Sequence, residues 1–133
     1  MGVTARYTRQ VATQAERPVV LVVDDEPAIR LLCRVNLEHE GYEVREAATV
    51  AAARDALSHG SVAAVLLDMH LGWDNGLGLL DELAGREPHV PFAVVSGSTD
   101  LHQPQFRQAD AVLSKPYSVE QLTTTVRTLV AAS

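Results

Sequence analysis

Short, wholly apolar runs alternate with longer segments of helical periodicity from Pro18 onward. Four of these runs contain no polar residue: Val19 to Val23, Val62 to Leu67, Phe92 to Val95 and Ala111 to Leu113. Such runs are typical of parallel strands that helices cover on both faces. A further run, Tyr42 to Arg45, alternates apolar and polar residues and predicts an edge strand with one wetter face.

Helix signals fill the intervals between the runs. The predicted helices are Pro27 to the stop at Gly41, Val50 to His59, Leu77 to Ala84, and Ser118 to about Ala131. The first helix has a predicted buried stripe of Ile29, Leu32, Cys33 and Leu37. The polar stretch Gly97 to Gln108 contains Pro104, so we expect at most a short or broken fourth helix there.

The resulting order is five strands, each followed by a helix, with right-handed crossovers. A length of 133 residues suits a single domain. We predict this domain over residues 18–133. Residues 1–17 lack an apolar run long enough for a signal peptide or a membrane span, and are interpreted as a flexible N-terminal extension.

Charge and cysteine content narrow the possible partners. The formal net charge is -6, and the predicted domain is more acidic because residues 1–17 carry three arginines and one glutamate. This balance argues against direct binding of nucleic acid or an anionic membrane. The single cysteine excludes an intrachain disulfide and a cysteine-based zinc cluster, and it fits a reducing compartment. We therefore expect a cytoplasmic protein.

Polar residues follow the predicted strands at the carboxyl ends. Asp24 and Asp25 follow the first strand, Asp68 the third, Ser96 the fourth, and the fifth runs into Lys115, the only lysine in the chain. In an open α/β sheet the site lies at the carboxyl ends of the strands. Three carboxylates, one hydroxyl and one ammonium are therefore expected at one edge of the sheet.

Carboxylates packed together repel each other unless a positive charge sits among them. A hard divalent cation such as Mg²⁺ accepts a few carboxylate oxygens while keeping several waters. With Mg²⁺ and Lys115, the three negative charges are balanced, and the pocket can accept a phosphoryl group. Asp68 is then the candidate nucleophile, because an aspartate can form an acyl phosphate.

These residues resemble those of the receiver domain of bacterial two-component response regulators. The resemblance covers residues 18–133 and rests on Asp24-Asp25, Asp68, Gly76, Ser96-Gly97 and Lys115-Pro116. It implies a flavodoxin-like (βα)₅ fold with sheet order 2-1-3-4-5. It also implies Mg²⁺-dependent phosphorylation of Asp68 by a histidine kinase or a histidine phosphotransfer protein.

Roles for the individual metal-site residues come from the same resemblance. Asp25 and Asp68 would bind Mg²⁺ directly, and Asp24 would act largely through water. His70 would contribute its backbone carbonyl.

The resemblance also implies roles at the fourth and fifth strands. Ser96 would be the switch hydroxyl, and Lys115 would pair with the phosphoryl oxygens. The Lys115–Pro116 peptide bond would be cis.

The chain departs from the family pattern at two positions. Gly72 stands where a proline usually follows the phosphorylated aspartate, which predicts a more flexible loop. Val112 stands where family members usually carry an aromatic switch residue. Ser96 and Lys115 also lie closer in sequence than is common in the family, which is consistent with the weak fourth helix. Together these departures argue against the usual aromatic switch and against dimerisation through the fourth helix and fifth strand.

We interpret the chain as a stand-alone receiver, a phosphorylatable switch or phosphate shuttle that acts on an unknown downstream protein and is not an enzyme for outside substrates. One alternative is an Mg²⁺-dependent phosphatase or phosphotransferase with an aspartyl-phosphate intermediate. Such enzymes commonly need a second carboxylate where His70 stands. Another alternative is a scaffold receiver that no longer accepts phosphate, which the complete set of polar residues disfavours.

Overall fold

The computed structural model describes residues 17–72, 76–97 and 103–133. The expected N-terminal extension lies outside these residues except for Arg17. The strands are β1 (Val19–Val23), β2 (Glu43–Ala47), β3 (Ala64–Asp68), β4 (Phe92–Gly97) and β5 (Ala111–Lys115). The α-helices in the described residues are α1 (Pro27–His39), α2 (Val50–Ser58), α3 (Gly76–Ala84) and α4 (Val119–Ala132).

The five strands form one parallel sheet in the order β2-β1-β3-β4-β5. This confirms the flavodoxin-like fold class and the predicted strand order. β2 lies at one edge, as its alternating sequence predicted, although it starts one residue later and ends two residues later than expected. β5 forms the opposite edge.

Alternate residues of the buried strands face opposite layers of helices, because successive side chains in a strand point to opposite faces. Leu21 and Val23 of β1 belong to the core beneath α2 and α3. Val20 and Val22 belong to the core beneath α1 and α4. The wholly apolar runs of the sequence are thus explained by burial on both faces.

The predicted stripe of α1 is partly wrong. Cys33 and Leu37 are buried against the sheet, whereas Leu32 is 41% exposed. Residues 29, 33 and 37 repeat at four-residue intervals and share the face that meets the sheet, so Leu32 falls at its margin. α1 is followed by Gly41, whose positive φ of 99° is a conformation that glycine adopts without strain.

In the crossover from β4 to β5, the described residues form a 3₁₀ helix, Pro104–Gln108. The predicted short fourth helix is therefore confirmed. Proline stands at its first turn, and Phe106 is buried in the core beside α3. Among the described residues, no helix is long and apolar enough to cross a membrane.

Candidate phosphoacceptor and metal site

The parallel sheet brings the predicted site residues to its carboxyl edge. Asp24 directly follows β1, and Asp68 is the last residue of β3. Ser96 is the penultimate residue of β4, and Lys115 is the last of β5. β1 and β3 are neighbours where the chain reverses its order across the sheet, which is the usual ligand position in such folds.

The three aspartates converge as predicted. Asp24, Asp25 and Asp68 each offer a carboxylate oxygen, and these oxygens lie within 4.8 Å of one another. Asp24 and Asp68 are buried, with relative exposures of 3% and 2%, whereas Asp25 is exposed. This all-oxygen set fits the ligand preference of a hard divalent cation.

Asp68 is held by two donors that both reach Oδ1. The Lys115 ammonium donates from Nζ over 3.1 Å, and the backbone N–H of His70 donates over 3.1 Å. Its carboxylate is nearly buried, whereas the Lys115 side chain is 30% exposed. The only lysine of the chain therefore neutralises the candidate nucleophile directly.

Asp24 carries the clearest electrostatic signature of the site. Burial, with a smaller contribution from the nearby Asp68 carboxylate, raises the pKa of this carboxyl to about 6. The backbone N–H of Glu26, which donates to Asp24 Oδ1 over 2.9 Å, and the Lys115 ammonium act in the opposite direction. The protein thus supplies too little positive charge to balance the carboxylates when they are ionised, and this imbalance favours the binding of a cation.

Ser96 supplies a polar atom that is not satisfied by the described protein. Its side chain is fully buried, and Oγ forms no hydrogen bond with any residue in the ranges that the structure describes. It follows Val95, the register partner of Asp68. A buried hydroxyl without a partner is costly, so this atom suits a ligand oxygen delivered to the site.

The remaining predicted residues lie around this cluster. The side chain of His70 is exposed, and its backbone amide already contacts Asp68. The role of its carbonyl remains a prediction. The Lys115–Pro116 peptide bond is cis, which is the isomer that the resemblance implied. Gly72 has a positive φ of 63°, and a Cβ there would lie 3.5 Å from Asp25 Oδ2.

Two residues outside the acidic cluster, Arg30 and Glu46, hold the Asp24–Asp25 loop and were not predicted from the sequence. Arg30 of α1 donates to the backbone carbonyl of Asp24 and to the carboxylate of Glu46. In the sequence, Arg30 shares a polar face of the helix with Arg34 and Glu38, and this spacing does not indicate either contact. The pairing with Glu46 could not be found by spacing, because it depends on β2 lying next to β1.

Comparisons with known proteins show the family of the chain. The family described as "Response regulator receiver domain" matches residues 20–127. The transcriptional regulatory protein KdpE of Mycobacterium tuberculosis is 32% identical over 114 residues, which cover 84% of this chain and 50% of KdpE. An NtrX-like response regulator of Rickettsia felis is 41% identical over 80 residues, covering 59% of this chain. The chain spans only about a sixth (17%) of that relative's length.

Solved structures share the fold. The receiver domain of NtrX from Brucella abortus has a TM-score of 0.79 at 31% identity, over 86% of this chain and 99% of that one. The response regulator TrrA of Thermotoga maritima, solved in complex with Mg²⁺-BeF, has a TM-score of 0.78 at 27% identity, over 84% of this chain and 98% of that one. The chain described here belongs to the response regulator receiver domain family.

Proposed function

We propose that this receiver accepts a phosphoryl group on Asp68 from a partner histidine kinase or histidine phosphotransfer protein, with Mg²⁺ bound at Asp24, Asp25 and Asp68. The observation that carries the proposal is the convergence of three carboxylate oxygens beside the ion pair of Asp68 and Lys115. The phosphorylated form would then act on a downstream protein.

The transfer itself needs one nucleophile. A carboxylate oxygen of Asp68 attacks the phosphorus of a phosphohistidine on the partner. An O–P bond forms as the N–P bond breaks, and the electron pair of the broken bond returns to the partner's imidazole nitrogen. Both hydrogen bonds described for Asp68 end on Oδ1, so Oδ2 is the oxygen available for the attack.

The donor set fits Mg²⁺. Asp24, Asp25 and Asp68 supply oxygen ligands, and the backbone carbonyl of His70 would complete the protein's share. When bound, Mg²⁺ neutralises charge on the transferring phosphoryl oxygens. Burial is the main cause of the raised pKa of Asp24, because it destabilises the ionised carboxylate. A bound cation would supply the positive charge that this carboxylate lacks, which supports the assignment.

Lys115 and Ser96 would bind the phosphoryl group after transfer. The ammonium of Lys115 lies 3.1 Å from Asp68 Oδ1 and would move to a phosphoryl oxygen. The Ser96 hydroxyl, buried without a partner among the described residues, would donate a hydrogen bond to another phosphoryl oxygen. These two movements would bias the surface that the downstream protein reads.

A surface beside the site suits the helices of a partner. Ile29 in the first turn of α1 and the loop after Lys115 border a groove of about 390 Å³. Its lining includes Leu32, Pro116 and Tyr117. An apolar groove next to a nucleophile would let a partner bury surface while presenting its phosphohistidine.

The protein would thus act in signalling rather than turn over an outside phosphoester. The phosphatase alternative lacks the second carboxylate that such enzymes commonly place two residues after the nucleophile, because His70 stands there. The scaffold alternative would not require the ion pair at Asp68 or the neighbouring carboxylates.

Intact-mass measurement after incubation with a small phosphodonor and Mg²⁺ tests the proposal. We expect wild type to gain one phosphoryl group, Asp68→Asn to gain none, and a chelator to abolish the gain. Asp55→Asn is the matched control, since Asp55 is an exposed aspartate of α2. Equal labelling of wild type and Asp68→Asn would contradict the proposal.

A further inference from the structure

We infer that Arg30 is a positioning residue that holds the Asp24–Asp25 loop in its metal-binding arrangement and is itself oriented by Glu46 of β2. The inference rests on the proposed function, because it concerns the affinity of the same site for Mg²⁺. Arg30 contacts no metal ligand atom and would act through the backbone of the loop.

The contacts of Arg30 connect three elements. Nη1 donates to the Asp24 backbone carbonyl over 2.8 Å, and Nε donates to Glu46 Oε1 over 3.1 Å. Its side chain is only 17% exposed. The guanidinium therefore joins the loop after β1, the first part of α1 and the edge strand β2.

The backbone of Asp24 is bound on both sides. Its N–H donates to the Ala47 carbonyl of β2 over 3.0 Å, while its carbonyl accepts from Arg30. The neighbouring residue of β2, Glu46, orients that arginine. β2 gives no side chain to the acidic cluster, yet two consecutive residues of this strand determine how the peptide groups of Asp24 are oriented.

This orientation matters because Asp24 and Asp25 share a peptide bond. Rotation of the Asp24 carbonyl would rotate the peptide plane and displace the carboxylate of Asp25, which lies outside the core and has fewer packing constraints. Hydrogen bonds around metal ligands commonly hold them in place, and losing such a bond typically weakens metal binding about tenfold or more.

An arginine suits this task better than a lysine. Its planar fork has several N–H donors in fixed directions, so one side chain can bridge a carbonyl and a carboxylate. An ammonium keeps the charge but lacks this geometry. Arg30→Lys therefore separates the orientation of the loop from the charge of the side chain.

Arg34 provides a matched control on the same helix. It donates from Nε to Glu46 Oε2 over 2.6 Å and from Nη1 to Glu38 over 3.0 Å. No contact between Arg34 and Asp24 is among its described hydrogen bonds. Replacing Arg34 therefore removes the same charge and frees Glu46 Oε2, whereas Glu46 Oε1 can still accept from Arg30 and the bond to the Asp24 carbonyl can remain.

Calorimetric titration of the full chain with MgCl₂ tests the inference. We expect Arg30→Met to raise the Kd for Mg²⁺ about tenfold, Arg30→Lys about threefold, and Arg34→Met less than about twofold. The direction of the change in Kd distinguishes the two explanations. Removing a positive charge near a cation site would by itself lower the Kd, so an increase reports lost positioning.

Thermal unfolding in chelator accompanies each titration, so that the titrations use folded protein. Arg30→Met with the affinity of Arg34→Met would overturn the inference. If Arg30→Met does not fold, wild-type affinity in Arg30→Lys would overturn it, and a weakened affinity would support it. A wild type that binds no Mg²⁺ would overturn the proposed function as well, whereas wild-type binding with unaffected Arg30 variants would overturn only this inference.

Discussion

The two edge strands of the sheet support the site in different ways. At the β2 edge, Glu46 accepts hydrogen bonds from Arg30 and Arg34, and Arg30 continues to the Asp24 carbonyl. At the β5 edge, Lys115 itself enters the site, and the described part of the preceding crossover contains a five-residue 3₁₀ helix. The β2 edge therefore holds the backbone of Asp24 from outside the site. The β5 edge supplies Lys115, a side chain that can change its hydrogen-bond partner.

This contrast suggests that the residues that would hold a cation and those that would respond to a phosphoryl group lie on different sides of the site. Asp24 and Asp25, two of the three carboxylates that would hold a cation, follow β1 next to the β2 edge, where the bond from Arg30 to the Asp24 carbonyl favours a constant geometry. Ser96 and Lys115, which would respond to a phosphoryl group, lie on β4 and β5. Val112 of β5 is 43% exposed and offers no aromatic side chain to follow such a movement. The response at this edge is therefore expected to begin with Ser96 and Lys115.

The largest expected effect concerns the β5 edge. Lys115→Met should slow the phosphorylation of Asp68 by about 100-fold, because a charged donor aimed at the transferring group is lost. The measurement is the rate of mass increase with a small phosphodonor and Mg²⁺. Arg127→Met is the control, because it removes a positive charge from the exposed face of α4. Rates within about threefold of wild type for Lys115→Met would break the proposed contrast between the edges.

A second prediction concerns the pH dependence of stability that arises from Asp24, directly after β1. Burial raises the pKa of Asp24 from 3.8 to about 6 in the folded protein, so the folded state binds the proton more tightly than the unfolded state. Protonation of Asp24 therefore stabilises the folded state at low pH. As the pH rises from about 4 to about 6, the free energy of unfolding falls by at most about 3 kcal/mol. Asp24→Asn should lack that loss.

Urea unfolding in chelator at several pH values measures this difference. The stability of wild type relative to Asp24→Asn should fall as the pH rises from about 4 to about 6. Adding Mg²⁺ above that range should restore part of the loss in wild type. A pH-independent difference between the two proteins would show that Asp24 does not titrate as its buried position indicates.

The smallest expected effect concerns Ser96. Ser96→Ala removes a buried hydroxyl that has no partner in the described part of the chain, so the unphosphorylated protein should be unchanged or more stable by up to about 1 kcal/mol. Phosphorylation should stabilise the variant less than wild type. Melting temperatures with and without the phosphodonor report both effects, and Ser114→Ala in β5 is the control. A destabilised unphosphorylated variant would mean that Ser96 has a structural role.

Much of this architecture could be predicted from the order of residues. The apolar runs predicted the strands, and Pro104 in a polar stretch predicted the short fourth helix. α4 begins with a capping box formed by Ser118 and Gln121, which is a pattern of nearby residues. These features depend on local preferences and periodicity, which are written in consecutive residues. The error at Leu32 arose because spacing alone does not show how wide a face the sheet covers.

The acidic cluster could be predicted because parallel strands end at a common edge, so that residues far apart in the chain are brought together by topology alone. The support of that cluster could not be predicted in this way. Whether Arg30 meets Glu46, whether Lys115 reaches Asp68 and whether Ser96 has a partner among the described residues depend on distances across packed elements. The elements, their order and the chemistry at their ends follow from the order of residues. Which charges touch follows from the folded molecule, because those contacts depend on strand register and side-chain packing rather than on position along the chain.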